Sequence, residues 1–408
     1  MRPVMKSFAL FVGLWALVVV SEGCGGGNAS NVSTGGNTPV AAMVADSVAT
    51  PLSPLAIGVD SSTNKIYVLN RGTASMACGA NPGNVTVIDG TTDISATISA
   101  GFQPVAVTVD DANHTAYVVS RPLFNINNGS CGIVPPALTI IDGVALTHSI
   151  VDLSFTYFTP TALVVNPLTD KVYLTAACCN NVIGVIDGAT NSVTPVSDPS
   201  AVLPNALAAN STTNNIYVAN SGSNSVSVMD GATNSVSTVA DPNATAPNAV
   251  AVNSMTNKIY VANKGSNNIS VIDGATNSVT TLADPNAMAP VAVAVNPTTN
   301  TIYVANSKSN NLTVIDGATG SITATVAVGT SPSGIAVDEK TNFIYIANAG
   351  NTQNPGNVTV INGATNATTT LSDPKAVSPV AIAADSATNK IYVANSGSNN
   401  VTVIDGAH

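Results

Sequence analysis

The sequence is poor in the groups that do chemistry. Only 8% of its 408 residues are charged, and it carries three histidines and two glutamates, Glu22 and Glu339. His114, His148 and His408 stand far apart, so no pair has the spacing of a metal-binding helix. No Gly-x-Ser-x-Gly elbow is present, which removes the usual signature of a serine hydrolase. Positive charge is scarce too: 12 Lys and Arg face 22 Asp and Glu, for a net charge of −10. Such a surface repels phosphate backbones, and no basic cluster reverses it locally, so nucleic acid is excluded as a partner. Helical periodicity is missing beyond the N-terminal segment. The one long apolar run, Phe8 to Val20, is 13 residues and too short to span a bilayer comfortably.

What is present is β-forming and regular. Hydrophobic residues make up 45% of the chain, which argues against disorder. Val, Thr, Asn and Ser recur in short alternating stretches between turn formers. Arg2 and Lys6 ahead of the apolar run, with Ser21 and Gly23 before Cys24, read as a signal peptide over 1–23. A Gly/Asn/Ser-rich linker over 24–38 and a single repeat domain over 39–408 follow.

The repeat is set by proline and tyrosine. Pro54, Pro104, Pro160, Pro204, Pro247, Pro290, Pro332 and Pro379 are each followed after thirteen residues by a tyrosine: Tyr67, Tyr117, Tyr173, Tyr217, Tyr260, Tyr303, Tyr345 and Tyr392. Each unit reads as four strands, A to D. Val291–Val295 is an example of A, Ile302–Asn306 of B, and Leu312–Ile315 of C. Asp316-Gly317 then starts the turn into D, Ser321–Thr325. Four-stranded units of this length match propeller blades, which must stack to bury both faces. The last unit reaches His408 without a fourth strand. The stretch from Val44-Ala45-Asp46 to Pro54 resembles the D strand and link at Val239-Ala240-Asp241 to Pro247. The expectation is an all-β, eight-bladed propeller of antiparallel blades, closed by an N-terminal strand that completes the last blade. Seven blades is the alternative if one unit stays outside the ring.

Tyr-Val-Ala-Asn at 217–220, 260–263, 303–306 and 392–395, with close variants at 67–70 and 345–348, resembles the YVTN-type β-propeller repeat of prokaryotic exported and surface-layer-like proteins. Blades 2 and 3 carry Ser120 and Ala176 in place of the final Asn. The resemblance implies an exported propeller and no common reaction. Similar repeats also occur in lactonase-type and quinoprotein-like propellers. The sole tryptophan, Trp15, lies in the leader, so the tryptophan docking repeats of quinoprotein alcohol dehydrogenases are missing. Cys24-Gly-Gly-Gly likewise resembles the start of a mature bacterial lipoprotein, which makes Cys24 the candidate lipidation site.

Candidate sites lie in loops. The interval from each tyrosine to the next Asp-Gly or Asn-Gly is 13 in blades 4, 5, 6 and 8. It grows to 22, 25, 14 and 17 in blades 1, 2, 3 and 7, and the excess falls between strands B and C. In a closed ring blades 7, 8, 1 and 2 are neighbours, so most of the insertion shares one sector, as binding loops do. Cys78, Cys131, Cys178 and Cys179 fall in the B–C loops of blades 1 to 3 and are disulfide candidates. Three pairings are open, with Cys78–Cys131 beside a vicinal Cys178–Cys179 favoured and a zinc site as the rival.

Six residues after each proline stands Asp60, Asp110, Asp338 or Asp385 in that same sector, and Asn in blades 3 to 6. Four carboxylates at one channel mouth are candidate Ca2+ ligands; the plainer reading is that each caps its own A–B turn. His114 and His148 read as solvated residues of an A–B turn and a C–D hairpin. The repeated tyrosines read as packing.

These features point to a non-catalytic binding or scaffold protein with no cofactor beyond a candidate Ca2+. Its place is the periplasm, the outer membrane through a lipid tether, or the cell surface. It is expected to be a monomer that meets an envelope protein or glycan, with no membrane contact beyond the lipid anchor. The alternatives are a metal-dependent lactonase or lyase acting at the central channel, for which Glu339 beside Asp338 is the one hint, and a self-associating coat protein.

Overall fold

The structure, a computed structural model, describes residues 41–72, 82–122, 134–153, 159–177 and 181–408. The leader, the linker and all five cysteines, Cys24, Cys78, Cys131, Cys178 and Cys179, lie outside the described residues. The described chain forms eight four-stranded antiparallel sheets and no helix.

Each sheet is one blade. Strand A runs from the repeat proline, as in Pro247–Asn253 of blade 5, and pairs with strand B, Lys258–Asn263. Strand C, Asn268–Asp273, and strand D, Val279–Ala283, complete it. The proline cannot donate to the ladder, and the register slips between Pro247 and Ala249. The same slip recurs at the prolines of the other seven blades. Burial falls across the blade: strand B is buried along almost its whole length, while strand D is largely exposed.

The A strands contact one another consecutively, and that of blade 8 meets that of blade 1, so they line the axis of a closed ring. Ring closure is the expected one. The N-terminal strand Met43–Ala49 pairs antiparallel with Asn400–Asp405 and fills the D position of blade 8.

Eight buried clusters, one at each blade–blade junction, make up the core. At the junction of blades 1 and 2, Tyr67, Leu69 and Val87 pack on Val107, Val109 and Val118. All eight repeat tyrosines are buried. The hydroxyls of Tyr67, Tyr173 and Tyr392 reach the Asp-Gly turn of the next blade: a Cβ on Gly143, Gly231 or Gly90 would clash with them in turn. The wedge role of these rings is therefore structural, as their periodicity implied.

The Asn that ends strand B is also structural. Asn263 Nδ2 donates to Ser270 Oγ of strand C at 2.8 Å, and Ser270 Oγ donates to Asp241 Oδ2 at 2.7 Å. Asp241 lies in the link that leaves blade 4, so the chain of bonds joins two blades. Asn306–Thr313–Asp284 and Asn395–Thr402–Asp373 repeat the arrangement.

Candidate functional site

The two mouths of the channel differ because different turns form them. A–B and C–D turns surround one mouth; B–C loops and the links between blades surround the other.

At the A–B mouth, the residue six after each proline ends strand A with its side chain fully buried. Its Oδ1 caps the turn: Asp60 accepts from the Ser62 and Thr63 amides, and Asn253 from those of Met255 and Thr256. Capping thus holds for Asp110, Asp338 and Asp385 as well.

The second side-chain atom does something the spacing did not reveal. In every blade but blade 7, whose Asp338 Oδ2 is buried without a hydrogen-bond partner among the described residues, it turns toward the residue ten after the proline of the next blade, a residue held at positive φ in every blade. In the regular part of the ring this is an amide pair. Asn166, Asn210, Asn253 and Asn296 donate through Nδ2 to Oδ1 of Asn214, Asn257, Asn300 and Asn342, each at 2.8 Å.

Where the cap is Asp, the partner changes. Asp60 Oδ2 meets His114 Nδ1 at 3.2 Å. Asn64, with its amide turned to face the carboxylate, donates to Asp385 Oδ2 at 3.0 Å. Asp110 faces Asp170, and Asn113 Nδ2 bridges the two carboxylates at 3.2 Å to each. Burial and the neighbouring Asp110 raise Asp170 above the usual carboxylate range. Asp111 lies among Asp60, Asp110 and Asp385; burial first, then those charges, push it up to about 7.

His114 is thus not simply solvated but spans the junction of blades 1 and 2. His148 is exposed and opens strand D of blade 2, His148–Asp152, beyond the hairpin turn. Glu339 lies in the A–B turn of blade 7 next to Asp338. The four candidate Ca2+ ligands belong to four consecutive blades, each occupied with its own turn. Among the described residues, no three His, Cys, Asp or Glu side chains are arranged to hold a metal ion.

At the opposite mouth the B–C loops emerge. In blade 4 the connection between Asn220 and Ser225 is a tight turn. In blade 1 it runs from Asn70 to Asn84, in blade 2 from Ser120 to Ala137, and in blade 7 from Asn348 to Asn357. Residues 73–81 and 123–133 of the two longest loops are outside the described set. The blade 7 insertion is exposed and folds back through the Asn351 amide donating to the Asn354 carbonyl at 2.7 Å. The sequence therefore placed the insertions correctly, and closure makes blades 7, 8, 1 and 2 contiguous.

Two residues escaped the sequence reading. Arg71 and Arg121 occupy equivalent places in blades 1 and 2, just after strand B. Their amides donate to the Ser53 and Gln103 carbonyls, at 3.0 and 3.3 Å, immediately before the strand A prolines. Both arginines therefore stand at the rim of the channel. The signal was available as two arginines at one repeat position.

Residues 146–343 match a family model described as YNCE-like beta-propeller. That stretch runs from the end of blade 2 into blade 7, and the match agrees with the observed architecture. No curated protein matches the chain.

Proposed function

We propose that this chain is an exported, YVTN-type propeller that acts as a non-catalytic binding or scaffold protein of the bacterial envelope or cell surface. Its partner, an envelope protein or glycan, contacts the B–C face of blades 7, 8, 1 and 2. The observation that carries this reading is the gathering of the long B–C connections of blades 1, 2 and 7 in one sector of the closed ring. A rigid ring that extends its loops on one side presents a localised contact surface. At the opposite mouth, Asp60, Asp110 and Asp385 cap their turns and meet partners across or within the blade junctions, which supports binding over catalysis.

The test is deletion of 72–83 and 121–135, which should abolish partner capture from envelope extract while the β-sheet circular dichroism signal persists. Capture at the wild-type level by the deleted protein would overturn the reading. A lactone panel and metal analysis of the purified protein address the lactonase or lyase alternative.

A further inference from the structure

The B–C mouth has an electrostatic break at blades 1 and 2. In blades 5, 6 and 8 the link entering the blade carries an Asp whose carboxylate accepts from the strand C hydroxyl, and in blades 5 and 6 also from a strand D hydroxyl. The link entering blade 2 is Ala100-Gly101-Phe102-Gln103, which has no carboxylate. Thr139, the hydroxyl of strand C that would have met one, is buried without a hydrogen-bond partner among the described residues. In place of the missing negative charge, this junction carries Arg71 and Arg121.

The two arginines follow strand B at the same repeat position of adjacent blades. Arg121 is held below the usual guanidinium range, chiefly by burial and further by the positive charge of Arg71. The Nε of each is buried and has no hydrogen-bond partner among the described residues. Neither side chain has an ionic partner among them. Two like charges side by side, half withdrawn from water and with donors unspent, are costly unless an anion joins them. In a chain of net charge −10 that has only three arginines, this pairing concentrates positive charge at one point of the channel rim.

We propose that Arg71 and Arg121 form an anion site at the B–C mouth of the channel that takes a dianionic oxyanion group, such as a phosphate monoester. Two guanidinium forks present parallel N–H donors to an oxyanion, and two positive charges are balanced by a dianion rather than by a monocarboxylate. The acidic remainder of the surface keeps out polyanions, so the ligand is a small molecule or a single charged group on a partner. The site lies on the same face as the proposed partner surface but does not rest on that reading, since the test below uses no partner.

Inorganic phosphate titrated calorimetrically into the purified full chain is expected to saturate one site. Acetate is expected to bind about tenfold more weakly or less. Arg71→Gln and Arg121→Gln are each expected to weaken phosphate by about tenfold or more. Should either variant fold poorly, the wild-type chain supplies the second readout. Besides Arg2, Arg71 and Arg121 are its only arginines, so phenylglyoxal modification mapped by mass spectrometry reports on this pair. Phosphate should protect both from the reagent. Absence of saturable phosphate binding, equal affinity for acetate, unchanged affinity in both variants, or modification indifferent to phosphate would each overturn the site.

Discussion

Blades 4 to 6 and blades 8, 1 and 2 are built on one plan but joined by different chemistry. In blades 4 to 6 each A–B cap is an Asn that donates to an Asn of the next blade. An amide carries both a donor and an acceptor, so the same residue type serves at both ends of the bond. A blade joined in this way fits any copy of itself, which is what tandem duplication requires. In blades 8, 1 and 2 the cap is an Asp, which can only accept when ionised. Each junction there has needed its own solution: Asn64 for Asp385, His114 for Asp60, and Asn113 laid between Asp110 and Asp170. Blades 1 and 2 of this sector also carry the longest B–C loops and the arginines, whereas blade 8 keeps the tight B–C turn of blade 4. The lesson is that both mouths depart from the repeat over the same arc of the ring.

The comparison can be broken by moving the acidic cap into the regular sector. Asn253→Asp removes the donor that meets Asn300 Oδ1 at 2.8 Å and sets a carboxylate against an acceptor in a fully buried position. The expected cost is about 3 kcal/mol at pH 7 with Asn300 as it stands, the scale of a buried charged group left unpaired, and it is relieved only if Asn300 turns its amide to the carboxylate as Asn64 does for Asp385. The new carboxyl should sit above its unfolded value, so the folded chain would hold its proton more tightly. The cost should therefore shrink as pH falls toward 4, where the protonated acid can donate again. Urea unfolding at the two pH values checks it. A variant as stable as wild type at pH 7 would show that Asn300 turns its amide as Asn64 does for Asp385, so that the ladder accepts either cap.

A smaller effect, of opposite sign, is expected in the charged sector. Asp111 is pushed up to about 7 by burial and by Asp60, Asp110 and Asp385. Between pH 4 and 7 the folded state binds this proton more tightly than the unfolded state, so stability falls as pH rises through that window. Asp111→Asn removes the titration. It should stabilise the protein by about 2 kcal/mol at pH 8, a value reduced for the side chain's partial exposure, and change little at pH 4. Thermal melts at pH 4 and pH 8 measure the difference, and an equal shift at both would show that charge is not the cause.

Much of the fold was open to reading because its signals are one-dimensional. The Pro-to-Tyr interval of thirteen recurs in register, and the likeness of the stretch at Val44-Ala45-Asp46 to an internal D strand disclosed the clasp. The turn-capping role of Asp60 and Asn253 is a local matter of two or three residues, and it too was legible. The pairing of each cap with the next blade was not. Asn253 and Asn300 are 47 residues apart, and a sequence shows the Asx residues without showing which of them meet across a junction. For the same reason His114 passed as a turn residue. Arg71 and Arg121 share one repeat position, which is visible in the sequence, but that each keeps a buried Nε without a partner among the described residues appears only in the fold. The cysteine pairing lies in loops outside the described residues.

The smallest effect separates tyrosines that look identical in the repeat. Tyr260 is fully buried, its hydroxyl lacks a hydrogen-bond partner, and burial pushes its pKa up to about 12. Tyr345, at the junction with the clasped blade, accepts from the Ala407 amide at 2.8 Å. Removing a buried hydroxyl that makes no bond costs little, since the ring keeps its packing. Removing one that satisfies a buried amide strands that donor. Tyr260→Phe should therefore leave stability within about 0.5 kcal/mol of wild type, and Tyr345→Phe should lower it by about 1 kcal/mol. Equilibrium unfolding in urea of the two variants side by side gives the difference. Equal costs would mean that the Ala407 bond adds nothing to closing the ring.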